Sequence, residues 1–265
     1  MESEANSQKE QKESKENRED SRNKISAGSY DLNKFLFGGY EKDIITTIYG
    51  PAGCGKTNFC MIAAVSQAKK GKKVIFIDTE GGFSIERFKQ IFNDSEDINV
   101  YETALKNIIL LKPTNFNEQK ESFNRLLKEL RTPGDIGLII VDGMTMLYRL
   151  ELAEHKDREF ISRVNSELAW QMRCLAEIAR KNNIPIIVTN QVYSEFLSEE
   201  DFKAGKEREV FMVGGDILKY WSKCILEIKN ERGKRSVIIR KHRSIGEKKL
   251  EFEIVNSGIR KKGWL

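Results

Sequence analysis

Five short runs along the chain are apolar almost without interruption: IITTIY (44–49), KVIFID (73–78), NIILLK (107–112), GLIIVD (137–142) and IPIIVTN (184–190). Continuous rather than alternating apolar residues mark strands covered on both faces. Between them the period turns helical. Residues 56–70 follow the first run, and Phe116, Phe123, Leu126, Leu127 and Leu130 fall on one face of a second helix. Ile161, Val164, Leu168, Met172, Leu175 and Ala179 share a face of a third. Strand and helix alternate, which predicts an α/β fold with a mostly parallel central sheet and helices on both faces. A polar stretch (192–213) then gives way to shorter strand patterns at 223–230, 234–242 and 250–255. These predict an antiparallel meander added to the far edge of the same sheet.

Residues 1–24 contain almost nothing apolar and alternate Glu with Lys or Arg. Such a segment buries too little to offset its ordering entropy, so a disordered tail is expected there, with one core domain over 25–265. A net charge of +5 and 32% charged residues give a mixed, mildly basic surface, which permits nucleic-acid contact without demanding it. Cys54, Cys60, Cys174 and Cys224 show no CxxC or CxxH spacing, which argues against a zinc site or disulfide framework. No apolar stretch approaches the roughly 20 residues that cross a bilayer, and the charged N-terminus has no signal-peptide core. A cytoplasmic, nucleoid-associated protein without a membrane partner is expected.

GPAGCGKT (50–57) changes the picture from fold to chemistry. It follows a strand, opens a helix and matches G-x-x-x-x-G-K-[ST]. Gly50, Gly53 and Gly55 let the backbone curl inward with Pro51, Ala52 and Cys54, so that its N–H groups face phosphate oxygens. Lys56 is placed to reach the outer phosphates, the Thr57 hydroxyl to ligate Mg²⁺, and Asn58 belongs to the same nucleotide-binding segment. Asp142, at the end of GLIIVD, is a buried carboxylate that is costly without a cation. Either it meets the Mg²⁺ held by Thr57, or it caps the following turn.

FIDTEGGFSIERF (76–88) sets one acid, Glu80, against a Gly-Gly pair. If strand 73–78 lies next to the strand that leads into GPAGCGKT, Glu80 sits beside the terminal phosphate and can polarise water for in-line attack. Otherwise it is a solvated turn residue. Asp78 points the other way by strand alternation and is expected to be structural or supporting.

ISAGSYDLNKFLFGGYEKDIITTIYGPAGCGKT, FIDTEGGFSIERF, LIIVD, IIVTNQV and GGDILKYW occur in this order over residues 25–260. Together they resemble the ATPase core of the RecA/RadA recombinase family, in the form of a core-only paralogue. The resemblance implies a RecA-type P-loop NTPase fold, ATP and Mg²⁺ as cofactors, and DNA and a RadA-type recombinase as partners. It implies that Glu80 activates water, that Arg87 packs on adenine, and that Gln191 senses the terminal phosphate and signals to a second DNA-binding loop. Gln191 can also be read as a polar strand-end cap.

The departures from the family are informative. Residues 1–24 carry no helix-hairpin-helix pattern, and no Phe-x-x-Ala element stands before Ile25. Filament formation is therefore not expected, while a homodimer stays open. The first DNA-loop region (148–160) offers Arg149, Lys156 and Arg158 among several acids. The second (192–215) sets Lys203, Lys206 and Arg208 against Glu195, Glu199, Glu200 and Asp201. Basic residues concentrate instead in the meander, where Lys241, His242 and Arg243 are candidates for DNA or for a nucleotide across a subunit interface. A solvated basic edge is the plain alternative. Tyr220 and Trp221 either stack on bases or pack in the core.

These features predict an ATP-binding, DNA-associated accessory protein of homologous recombination with slow or conditional ATPase activity. One rival is a KaiC-like regulatory ATPase acting through protein contacts without DNA; those proteins typically pair two glutamates where this chain has Glu80-Gly81. A small-molecule P-loop kinase would need a basic lid and an acceptor-binding Asp, neither of which stands out.

Overall fold

The predicted runs do become strands with both faces covered. A computed structural model describes residues 23–92, 97–131, 134–154, 157–194 and 210–263. The nucleotide-motif strand β3 (Ile45–Gly50), with β4 (Lys73–Asp78), β5 (Ile108–Leu111), β6 (Ile136–Asp142) and β7 (Ile186–Ser194), makes up the parallel half of one sheet. Leu138 and Ile140 of β6 enter one buried cluster, while Ile139 and Val141 enter another on the opposite face. β4 divides in the same way, with Val74 and Phe76 on one side and Ile75 and Ile77 on the other.

One face is covered by α2 (Lys56–Ala68), whose residues Phe59 to Val65 are all buried. It is apolar nearly all round because it lies in the middle of the molecule. The segment preceding α1 (Tyr30–Phe35) presses so closely that a side chain at Gly28 would meet the Ile62 carbonyl at 2.3 Å. α3 (Ile85–Phe92) and α4 (Ile98–Lys106) complete that layer. The other face carries α5 (Phe116–Glu129), α6 (Met146–Glu154), α7 (Arg158–Asn182) and α8 (Gly215–Trp221). Side-chain caps at Asn115 and Asp157 start α5 and α7, and Asn183 in the left-handed region (φ 53°) ends α7.

The strand order departs from expectation at one place that matters. Beyond a small β1–β2 ladder (Lys24–Ile25 with Tyr40–Glu41), the sheet runs β12-β11-β10-β9-β3-β7-β6-β4-β5. β4 is therefore not beside β3; β7 and β6 lie between them. The meander of β9 (Cys224–Glu231), β10 (Lys234–Lys241), β11 (Lys248–Val255) and β12 (Gly258–Lys261) grows from β3 itself, with β9 parallel to it. β8 (Val210–Met212) pairs antiparallel with the end of β7. Residues 1–22, most of the expected tail, lie outside the described residues; Lys24, the last residue assigned to it, already belongs to β1. Among the described residues no helix is long and apolar enough to cross a membrane.

Candidate nucleotide site

The loop between β3 and α2 owes its shape to two kinds of glycine. Gly53 (φ 70°) and Gly55 (φ 114°, the residue that starts α2) occupy the left-handed region. Gly50 is required for another reason: a side chain there would meet the Ile228 carbonyl of β9 at 2.3 Å and Cys54 Sγ at 2.9 Å. α2 begins with no side-chain cap and no acid in its first turn, so its free N–H groups and dipole face the loop uncancelled. The Lys56 ammonium is buried over that loop and donates to the carbonyls of Gly50 (3.0 Å) and Pro51 (2.9 Å).

Asp142 closes β6 at 1% exposure. Thr57 Oγ1 donates to its Oδ2 at 2.7 Å and Thr189 Oγ1 to its Oδ1 at 2.5 Å. Burial pushes its carboxyl up to about 6 against the pull of these two hydroxyls, and the charges of Glu80 and Asp78 add to the rise. A carboxylate and a hydroxyl in contact, with further acids close by, form a hard-oxygen donor set suited to Mg²⁺. The space in front of them is kept open by a glycine. A methyl group at Gly82 would lie 3.1 Å from Thr57 Oγ1 and 3.5 Å from Asp142 Oδ2.

Glu80 reaches this pocket by a different route from the one expected. Since β4 is not adjacent to β3, strand pairing does not bring it there; the 79–83 loop does, by folding back over the end of β6. Thr79 Oγ1 donates to the carbonyls of Asp142 and Gly143, and Asp78 accepts from the N–H groups of Gly82 (3.0 Å) and Phe83 (2.9 Å). Asp78 thereby holds the loop's shape. Glu80 itself is half-buried and packs on Gly143, where a side chain would come within 2.7 Å of Glu80 Cγ. Gln191 Nε2 donates to Glu80 Oε1 at 3.0 Å.

Three consecutive polar residues at the end of β7 tie the pocket together. Thr189 binds Asp142, Gln191 binds Glu80, and Asn190 donates to the Val213 carbonyl at 2.6 Å while accepting from Thr145. Sequence reasoning singled out Gln191 alone. The missed signal was a run of polar residues on a strand otherwise buried on both faces. Arg87 lies at the same end of the sheet, with all five N–H groups engaged in or near the guanidinium plane. They reach Asn58 Oδ1 (2.8 Å), Gln90 and the carbonyls of Val255, Asn256 and Gly258. Held in this way, the guanidinium is fixed in orientation beside the 50–57 loop's helix.

A Rad51 family model matches residues 18–262. The chain belongs to the Rad51 family. Over 244 residues it is 40% identical to the DNA repair and recombination protein RadB of Methanobrevibacter smithii, covering 91% of this chain and 97% of that protein. RadB of Methanocaldococcus jannaschii is 40% identical over 228 residues, 86% of this chain and 98% of that one. RadB of Methanococcus maripaludis strain C7 is 39% identical over 229 residues, 86% and 96% respectively.

The other candidates are scattered over this Rad51-family core. Arg149 on α6 and Arg158 at the start of α7 are exposed, whereas Lys156 and the charged residues 195–208 of the second loop region lie outside the described residues. Lys241, His242 and Arg243 lie at and just past the end of β10, whose last residue pairs with Ile225 at the start of β9. They therefore sit at the end of the sheet opposite the 50–57 loop, out of reach of the nucleotide pocket of the same chain. The His242 side chain is buried and accepts from the N–H groups of Ser244 and Ile245, with Glu41 at 3.6 Å. Arg243 is paired with Glu41 (2.6 Å) and Asp43 (2.9 Å), and Lys241 donates to the Lys219 carbonyl at the end of α8. His242 and Arg243 are thus engaged by groups of this chain, while Lys241 is exposed with one hydrogen bond to a carbonyl. The aromatic pair divides: Trp221 packs against the core, while Tyr220 is 71% exposed.

Proposed function

We propose that the chain is an ATP-binding accessory protein of homologous recombination, associating with DNA and with a RadA-type recombinase, in which slow hydrolysis resets a nucleotide-dependent loop. In this reading Lys56 and the N–H groups from Gly53 to Thr57 hold the phosphates, and Arg87 stacks on the adenine. Thr57 and Asp142 would hold Mg²⁺, which supplies positive charge to the phosphate oxygens. Glu80 orients and polarises the attacking water. The family membership and the names of the RadB relatives support the DNA-repair setting; the small-molecule kinase loses its footing on the same ground.

The observation that carries the reading is the Gln191–Glu80 hydrogen bond of 3.0 Å. Glu80 has one carboxylate oxygen occupied by an amide donor, which holds the side chain in place until Gln191 turns away. A terminal phosphate is the group that would compete for that amide. Gln191 is also tied to both ends of the second loop region: its carbonyl accepts from Val213 N at 3.3 Å, and β8 pairs with β7 from Val192 onward. Turning Gln191 toward phosphate would thus free Glu80 and shift the anchor points of the second loop in one movement.

Fluorescence anisotropy of labelled oligonucleotides, with and without Mg·ATP, tests this. ATP is expected to change DNA affinity in the native chain and to leave it unchanged in Gln191→Ala, which should still bind ATP. ATP binding and turnover that ignore both single- and double-stranded DNA would overturn the reading in favour of a KaiC-like regulator working through protein contacts.

A further inference from the structure

The flank formed by α1 and β10–β12 holds a groove of about 650 Å³ that belongs to neither the nucleotide pocket nor the two DNA-loop regions. Six lysines line it: Lys34, Lys234, Lys248, Lys249, Lys261 and Lys262, all exposed. Two acids share the groove, and both are already used. Asp31 Oδ2 accepts the Lys261 N–H at 2.7 Å, and Glu251 pairs with Lys249 at 3.4 Å. Among the described residues no carboxylate pairs with the side chains of the other five lysines. Like charges gathered without counter-charges repel one another, and a surface selected only for solubility would mix the signs.

Two exposed rings stand at the groove, one on its wall and one beside it. Tyr30, on its wall, is 78% exposed. Phe37, just past α1, is 59% exposed, and the Lys248 ammonium lies 4.6 Å from its ring centre. Lys234 opens β10 at the end of the sheet that holds the 50–57 loop, while Lys248 opens β11 at the opposite end, where it pairs with Ile239. The lysines therefore track the strands for about five residues, a path of roughly 17 Å. That length suits a polymer better than a single small anion.

We infer that this groove is a track for single-stranded DNA, with backbone phosphates along the lysines and bases stacked on Tyr30 and Phe37. Charge complementarity selects a polyanion, and the exposed rings select one whose bases are not already stacked in a duplex. An acidic peptide would satisfy the ammonium groups and leave both rings without a partner. The inference rests on the DNA association proposed above but not on its coupling to ATP.

The test is anisotropy of a labelled oligo-dT probe with the full chain over a series of salt concentrations. The Lys34→Ala/Lys248→Ala/Lys261→Ala variant is expected to weaken binding at least about tenfold and to reduce the slope of log affinity against log salt by about two. ATP binding should be unaffected, which also reports that the variant is folded. Tyr30→Ala should weaken binding about fivefold or more with the slope preserved, the mark of lost stacking rather than lost charge. Arginine at the same three positions should restore both affinity and slope. Unchanged affinity and slope in the alanine variant would overturn the inference. So would a probe displaced equally well by polyglutamate, with Tyr30→Ala silent, because the groove would then be an acidic-peptide dock. Groove-dependent binding that ignores ATP would sustain this inference while sinking the coupling through Gln191.

Discussion

Asp142 and Lys248 are both charged residues on the same sheet, and they live in opposite physical regimes. At the carboxyl ends of β3, β4, β6 and β7, polar groups are buried and shared: Asp142 serves Thr57 and Thr189, Asn190 serves Val213 and Thr145. On the flank of α1 and β10–β12, the groove's ammonium groups are exposed and, Lys249 aside, lack carboxylate partners among the described residues. Buried groups at low dielectric are held to tenths of an ångström, since each lost partner leaves a desolvated atom unpaired. Exposed lysines act through a summed field in which each residue contributes modestly. The first region is built for one chemical arrangement, and the second tolerates many.

The largest expected effect therefore belongs to a residue with no functional group. Gly82→Val would push a branched side chain into the space kept open before Thr57 and Asp142. Gly82 itself is exposed and outside the left-handed region, so the fold should survive. Mg²⁺-dependent ATP turnover is expected to fall about a hundredfold, near 2.7 kcal/mol of barrier, with the melting temperature unchanged. A loss no greater than that of one groove lysine would dissolve the contrast between the regions.

Glu80→Gln comes next. It is isosteric and keeps a hydrogen-bonding oxygen for Gln191, but it cannot draw a proton from water. ATP binding by filter retention should be preserved, while turnover falls at least about tenfold, about 1.4 kcal/mol. Normal turnover would remove Glu80 from the chemistry and leave it a brace for Gln191.

How much was readable in advance depends on how far apart the cooperating residues lie. GPAGCGKT is contiguous, so its turn, helix start and ligand type can all be read along the chain. Strands with both faces buried announce themselves by composition. Strand order does not: β3 and β4 are consecutive, and neighbours in sequence are usually neighbours in a sheet, yet two strands from later in the chain come between them. Gly82 and Gly143 look like ordinary turn glycines until the segments they face, Thr57 and Glu80, are brought to them. Lys241 to Arg243 read as a basic run because the acids that engage Arg243, Glu41 and Asp43, lie 202 and 200 residues upstream of it. Charge patterns within a window predict a field only when nothing outside the window cancels it.

The smallest effect probes that cancellation. Glu41 is buried, and Arg243, 41% exposed, is its closest cationic partner. Removing the arginine leaves a buried carboxylate with the His242 ring at 3.6 Å. Solvent screening on the arginine side limits the cost, so Arg243→Ala is expected to destabilise by about 1–2 kcal/mol, a melting shift of roughly 3–6 °C. Because the loss comes from an orphaned acid, Glu41→Gln in the same chain should recover part of it; a purely additive double variant would mean that the pair contributes no coupling. Oligo-dT binding by Arg243→Ala, measured well below its melting point, should fall less than in the triple lysine variant. If it falls further while stability holds, the triplet gives up its acids to meet phosphate, and the exposed flank is no longer where the DNA is held.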